Sequence, residues 1–407
     1  MTWQPWAGAL VVAATVALLA RRVEVRLVLL GAGLLMATLA GTPLIVLDTF
    51  GRAMVAGMVA PICASMGFAA VLAVTGCDRH LVAALTLPLR RARLLLLPGG
   101  ILAAYVVNLA VPSQASTAAA LGPILVPLLL GAGVPPAAAG AALVLGASFG
   151  GDLLNPGAQD VQAIAGTTGL AARPMTAQLV PASLAGIASA ALVFTLLNGR
   201  GLKAPDPVGA VERVHLGKAG IPLAPIALLL AAYAGVPGLG WLLETPEGEA
   251  WKGVAAGLPV VRAMLLGVGL AALSTGRDLP GLSRRMFEGM GNAYASIISL
   301  TITAQCFGAG LAAVGLADAV LSLVGQSPLL AHALAVLFPW GLALLSGSGS
   351  GPILTYAQTF LTRMEPAHQP VELAAAACLS GAFGRTMSPV SAVVIYSSAL
   401  VEAHPLE

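Results

Sequence analysis

The stretch LLSGSGSGPIL, residues 344–354, alternates serine with glycine between two apolar segments. Glycine weakens a helix by about 1 kcal/mol relative to alanine, and serine competes with the helix for backbone hydrogen bonds. The run therefore predicts a break between two helices. Its surroundings decide what kind of break. Hydrophobic residues make up 58% of the 407 residues and charged residues only 9%, too little polar surface to coat a water-soluble protein. Apolar runs of the roughly 20 residues that a helix needs to cross hydrocarbon recur along the whole chain. The chain is thus read as one all-α polytopic membrane domain, with no room for a separate soluble one. Lipid-facing non-helical backbone would strand amide groups at a cost of several kcal/mol each, so residues 346–351 must face protein or a water-filled cavity. They are read as the tip of a re-entrant hairpin with arms at about 328–345 and 352–364.

Cationic residues orient the spans. A first span, about Trp6 to Ala20, ends at Arg21, Arg22 and Arg26. The positive-inside rule puts that cluster in the cytoplasm and the N-terminus outside. Spans at about 27–47 and 54–75 return the chain to a loop with Arg79, Arg90, Arg91 and Arg93. The polar segment from 198, with Arg200, Lys203, Arg213 and Lys218, and the loop with Arg277, Arg284 and Arg285 also fall inside. Spans near 219–236 and 253–275 enclose an outer loop with Glu244, Glu247 and Glu249. Arg52, Arg173, Lys252, Arg262 and Arg363 fall on or near the outer side, with Arg262 reaching out of its span. Trp3, Trp6, Trp241 and Trp251 lie near span ends, where amphipathic rings sit at headgroup level. Cys63, Cys77, Cys306 and Cys378 show neither metal-like spacing nor a disulfide framework and are read as packing residues.

The order of features after residue 48 recurs after residue 284. VPSQASTAAALGPILVP (111–127) corresponds to LSGSGSGPILTYAQ (345–358), and LGASFGGDLLNPGAQ (145–159) to LSGAFGRTMSPVSAV (379–393). Phe149–Gly150 matches Phe383–Gly384, and Asn155–Pro156 matches Ser388–Pro389. The span before the first motif pair runs outside to inside, and its counterpart at 286–304 runs the other way, so the repeats are inverted. A second hairpin follows, with arms at 94–111 and 117–131 around its own tip. Inverted repeats with helices interrupted at matching places indicate a secondary transporter whose site lies at the repeat interface.

Serine hydroxyls and free N–H groups at the tips suit an anion. Ser113, Gln114, Ser116, Ser346, Ser348 and Ser350 are the substrate candidates there, together with Arg385, Thr386 and Ser388 at the second broken helix. Small residues at the tips also permit close helix packing, but their repetition in both halves favours the ligand role. Gly384 is read as loosening the turn before Pro389. Arg385 either forks onto a substrate carboxylate or pairs with an acidic neighbour such as Asp152. Asp152, with Asn155 and Gly150, is the candidate for cation coupling by proton or sodium, a sodium ion lying near Asn155 and Ser388; Asp152 is also an ordinary helix cap. Asp160 and Gln159 are read as solvated toward the outer end. Asn108, and Glu288 with Asn292, are read as interhelical hydrogen-bond partners.

GRTMSPVSAVVI (384–395), the SGSG tip and the VPSQAS tip resemble the anaerobic C4-dicarboxylate carrier (DcuC) family of the ion transporter superfamily. The resemblance implies uptake or exchange of succinate, fumarate or malate, coupled to cations, by a homodimeric elevator in a bacterial inner membrane. It divides the chain into scaffold helices at 1–93 and 219–327, transport parts at 94–197 and 328–407, and a cytoplasmic linker at 198–218. Two features depart from the pattern. After the first broken helix, ARPMTAQLVPASLAGIA begins a full span, whereas the matching place is AHPLE, so a last helix is expected to be absent and the C-terminus as given inside. Only one arginine reaches the midplane, so a second carboxylate would rest on hydroxyls, amides and helix N-termini. Another organic anion, such as a monocarboxylate, an amino acid or a peptide-like acid, fits the same architecture. A membrane enzyme is disfavoured, since the SGSGSG run makes no GxSxG pattern and His332 lies well before the tip. No metal centre and no nucleic-acid partner are expected; the partners are the anion, the bilayer and a second copy.

Overall fold

The first helices of the chain start and stop at local signals. α1 (Gln4–Ala20) carries Pro5 in its first turn, where a missing N–H costs nothing. α2 (Val25–Leu39) is capped by Glu24, whose carboxylate accepts the Leu27 N–H at 2.8 Å. Gly41, at φ +78°, then turns the chain in a left-handed conformation that favours glycine. Pro43 follows, and α3 (Leu44–Met54) starts afresh. The span expected at 27–47 is therefore two helices. α3 meets α4 (Val59–Thr75) at a 47° bend, and the short, polar α5 (Cys77–Thr86) follows. In the computed structural model, residues 3–405 are described except 22, 92–94, 112, 156, 200, 203–213, 247–256, 277–278, 325–326 and 365–369. The readings placed on Arg22, Arg93, Pro156, Arg200, Lys203, Arg213, Glu247, Glu249, Trp251, Lys252 and Arg277 lie outside the described residues.

The first hairpin is α6 (Leu96–Ala110) and α7 (Gln114–Gly131). α8 (Pro136–Ser148) and α9 (Gln159–Thr168) form the broken helix, with a 3-10 turn at Asp152–Leu154 between them. α10 (Ala172–Asn198) is a complete span. α11 (Leu216–Gly220) and α12 (Ala224–Tyr233) make one interrupted helix, followed by α13 (Leu258–Thr275). α14 (Leu279–Ala293) passes through a π turn into α15 (Ser299–Ala313), and α16 (Leu316–Val324) links to the second hairpin. That hairpin is α17 (Pro328–Ser346) and α18 (Ser350–Thr359), and its broken helix is α19 (Pro370–Thr386) and α20 (Ala392–Leu400). Among the described residues, seven helical stretches are long and apolar enough to cross a membrane, or eight if α3 and α4 count as one. This is the fold of a multi-pass membrane protein.

Glycine sets the closest helix contacts. A Cβ on Gly310 of α15 would lie 2.4 Å from the Gly33 carbonyl oxygen of α2, and one on Gly289 of α14 would lie 2.7 Å from the Met66 carbonyl oxygen of α4. Such small-residue seams let backbones approach and gain dispersion energy where lipid offers no hydrophobic drive. The same device joins α17 to α19, where a Cβ on Gly384 would stand 2.3 Å from the Trp340 carbonyl oxygen. Gly384 is thus a packing residue inside a continuous α19, and the helix breaks only after Thr386; its expected role in loosening the turn is corrected.

The contacts of the two hairpins recur. α6 packs on α8 as α17 packs on α19, and α9 lies on α18 while α20 lies on α7. Each hairpin is therefore covered by the far segment of the other half's broken helix: Val393 and Val401 join the core around α7, and Val161 and Ile164 join the core around α18. Phe149 and Phe383 stack at 4.5 Å between ring centroids where the two broken helices meet.

Candidate transport site

Asp152 sits in the break between α8 and α9, and its N–H donates to Asn108 Oδ1 at 2.9 Å, which pins the break to α6. Its Oδ2 accepts the Gln114 amide at 3.0 Å and lies 3.6 Å from Arg385 Nη2. Arg385, in the last turn of α19, places Nη1 3.5 Å from Asp160 Oδ2 and donates from Nη2 to the Ser148 carbonyl at 3.4 Å. Asp160, in the first turn of α9, accepts the Ser350 hydroxyl on Oδ1. A relay of side chains therefore runs Gln114, Asp152, Arg385, Asp160, Ser350, from one hairpin tip to the other through both helix breaks.

All three charged members are buried, with Asp152, Asp160 and Arg385 at 1%, 0% and 3% exposure. Removing an ion from water costs several kcal/mol, so each needs its partners. The expectation that Asp160 is solvated is overturned: α9 begins at Gln159, and its first turn faces the opposite break rather than the surface. The signal in the sequence was an acid in the first turn of a half-helix, opposite an arginine at the matching break. Of the two readings for Arg385, the acidic pairing is the one present, and with two aspartates rather than one.

The remaining candidates divide. Ser113 caps α7, accepting the Ser116 N–H at 3.4 Å and the Ser116 hydroxyl at 2.9 Å. Ser346 and Ser348 bond within their own turn. Thr386 donates to the Ser148 carbonyl at 2.8 Å, and Ser388 accepts the Val390 N–H. Asn155 bonds Leu109 O and accepts the Gly157 N–H, closing the chain after the break. Gly150, at φ +93°, turns the chain, and its carbonyl accepts the Ser183 hydroxyl. The relay gathers Gln114, Asp152, Arg385 and Ser350, while Asn155 and Ser388 have separate partners. Asn108 is an interhelical partner as read, but Glu288 is corrected, since it is exposed and paired with Arg284 and Arg285 of its own helix. Arg262 reaches out of α13 to the carbonyls of Trp241, Leu242 and Glu244.

A cavity of about 700 Å³ opens beside the first tip, between α4 and α14 on one side and α7 on the other. Its walls carry Ser116, Asn292, Asp78 and Arg79. Burial raises the Asp78 carboxyl above the ordinary carboxylate range, against the pull of Arg79 and His80. An acid raised by folding stabilises most below its unfolded value and loses that contribution as pH rises through the folded one. Asp78→Asn should therefore match the native protein at acid pH and melt at a higher temperature at neutral pH, as thermal unfolding at the two pH values would read.

No protein-family model matches the chain. An uncharacterized transporter of Haemophilus influenzae is 44% identical over 128 residues, covering 31% of this chain and 88% of that protein. A second uncharacterized transporter of the same organism is 30% identical over 202 residues, covering 49% of this chain and 68% of that protein. The chain belongs to this family of transporters. The anaerobic C4-dicarboxylate transporter DcuC of Escherichia coli is 26% identical over 129 residues, 30% of this chain and 27% of DcuC, so the resemblance to the DcuC family is borne out. The Alcanivorax borkumensis YdaH transporter has a similar fold, with a TM-score of 0.59 over 88% of this chain and 79% of that one, at 17% identity. In this transporter family member, then, the relay and the cavity beside it lie between elements of a transporter fold.

Proposed function

We propose that the protein is a cation-coupled secondary transporter of C4-dicarboxylates such as succinate, fumarate and malate. The observation that carries this reading is the convergence of two hairpin tips and two broken helices on one buried charge cluster, beside an open cavity. In this reading the cavity opens to the cytoplasmic side of a bacterial inner membrane with the N-terminus outside, an orientation that the loop cations support through the positive-inside rule. An anion entering past Arg79 is drawn by its field and reaches Ser116 and the N-terminal turn of α7, whose dipole favours negative charge. Arg385 acts on the substrate through the relay, since its guanidinium already serves two aspartates. The coupling cation, proton or sodium, belongs to the aspartate pair.

The hairpins and broken helices, 94–197 and 328–407, travel as one body against the scaffold at 1–93 and 219–327, in a homodimer. The covering of each hairpin by the other half supports this, because neither half moves alone. The inverted relation of the repeats supports alternating access from both sides.

The test is thermal unfolding of the purified protein with dicarboxylates, monocarboxylates and amino acids, each with and without sodium and at two pH values. A ligand at 100 times its Kd stabilises by about 2.7 kcal/mol. A rise in melting temperature with succinate or fumarate is expected. A rise with another anion alone would keep the transporter and overturn the substrate.

A further inference from the structure

We infer that Asp152 and Asp160 share one exchangeable proton, and that its position decides which hairpin tip is held. The inference rests on the cation-coupled reading above and names the cation. Two buried carboxylates face one guanidinium, leaving one negative charge in excess when all are ionised. Arg385 is divided between them at 3.5 and 3.6 Å, longer than the roughly 2.7–2.9 Å of a charge-assisted hydrogen bond. Asp152 Oδ1 is buried without a hydrogen-bond partner, a costly state for an ionised oxygen.

The surroundings favour a proton over a metal ion. Donors reach the carboxylates from Gln114, Arg385 and Ser350, whereas a sodium ion needs a shell of oxygen acceptors. Among the described residues, Tyr105 and Cys378 are further ionisable side chains that feel the charge of the pair, both neutral at neutral pH in their ordinary state. Gln114 belongs to the same tip as Val111 and Ser116, which line the cavity. The proton therefore leaves the Asp152 carboxyl oxygen for cavity water, and returns from it.

With one proton on the pair, one aspartate stays ionised and holds its tip through a charge-assisted hydrogen bond, while the neutral one releases its own. A proton on Asp152 loosens Gln114 and the first hairpin; a proton on Asp160 loosens Ser350 and the second. The two tips are thereby kept from opening together.

Infrared spectroscopy of the protein in liposomes, titrated with pH and without substrate, tests the proton directly. A protonated-carboxyl band is expected at neutral pH, lost on raising the pH and lost in both Asp152→Asn and Asp160→Asn. No such band in the native protein, a band that survives both substitutions, or one abolished by adding sodium would overturn the proposal. Thiol labelling of Ser348→Cys tests the interlock, since the native cysteines are buried. Labelling should rise several-fold in Asp160→Asn and not in Asp152→Asn, and equal labelling in the two would overturn it. The native pH titration needs no variant to fold. A normal band with no dicarboxylate binding would fail the substrate reading alone, and dicarboxylate binding with no band would fail this inference alone.

Discussion

Arg385→Ala is expected to destabilise the protein by about 3–5 kcal/mol, the usual cost of removing one partner from a buried ion pair. Its loss leaves Asp152 and Asp160 facing each other with no cation between them. Arg385→Lys should recover only part of this, since a point charge cannot serve both carboxylates as a planar fork does. The diagnostic variant is the double substitution Arg385→Ala with Asp160→Asn. It removes the second carboxylate that Arg385→Ala leaves uncompensated and should melt above Arg385→Ala alone, a coupling that a thermodynamic cycle reads as non-additivity. Additive losses would mean that the three charges do not act as a unit.

Gly310→Leu is expected to be comparably severe for a different reason. The new Cβ would stand 2.4 Å from the Gly33 carbonyl oxygen and 2.7 Å from its Cα. Both obstacles are backbone, so no side chain can turn aside, and α2 and α15 must separate along their seam. The loss should exceed the roughly 1–3 kcal/mol typical of overpacking. Gly31→Ala, on the facing helix α2 but away from the seam, is the control. Nothing lies within 4 Å of its added Cβ, and it should change the melting temperature little or raise it. Similar losses in both would show that the α2–α15 seam is not the source of the loss, since helix propensity favours either substitution.

Much of the architecture was legible because membrane insertion forces it into the sequence. The SGSG tip shrinks in the structure to a non-helical Gly347–Gly349, and at the first tip α6 ends at Ala110 and α7 starts at Gln114, as hairpins with helical arms require. Local chemistry misled where one residue type serves two ends. Gly384 looked like a hinge and is a packing residue, while Gly41 looked like part of a span and ends one. Asp160 was missed because solvation or burial of a residue at a half-helix start depends on which distant segment lies across from it. Its partners, Ser350 and Arg385, are 190 and 225 residues away. Periodicity within one helix carries no record of such a meeting. Glu288 erred the other way, its position near a span start suggesting a neighbour helix when two arginines of its own helix were in reach.

That same separation has a consequence during biosynthesis. At about 5–20 residues per second, Arg385 emerges from the ribosome roughly 10–45 s after Asp160. Through that interval Asp152 and Asp160 lack their guanidinium, and the hydrophobic flank of α7 lacks α20. The first half therefore cannot reach its final packing alone, and the buried charge cluster closes only once the second half has been made.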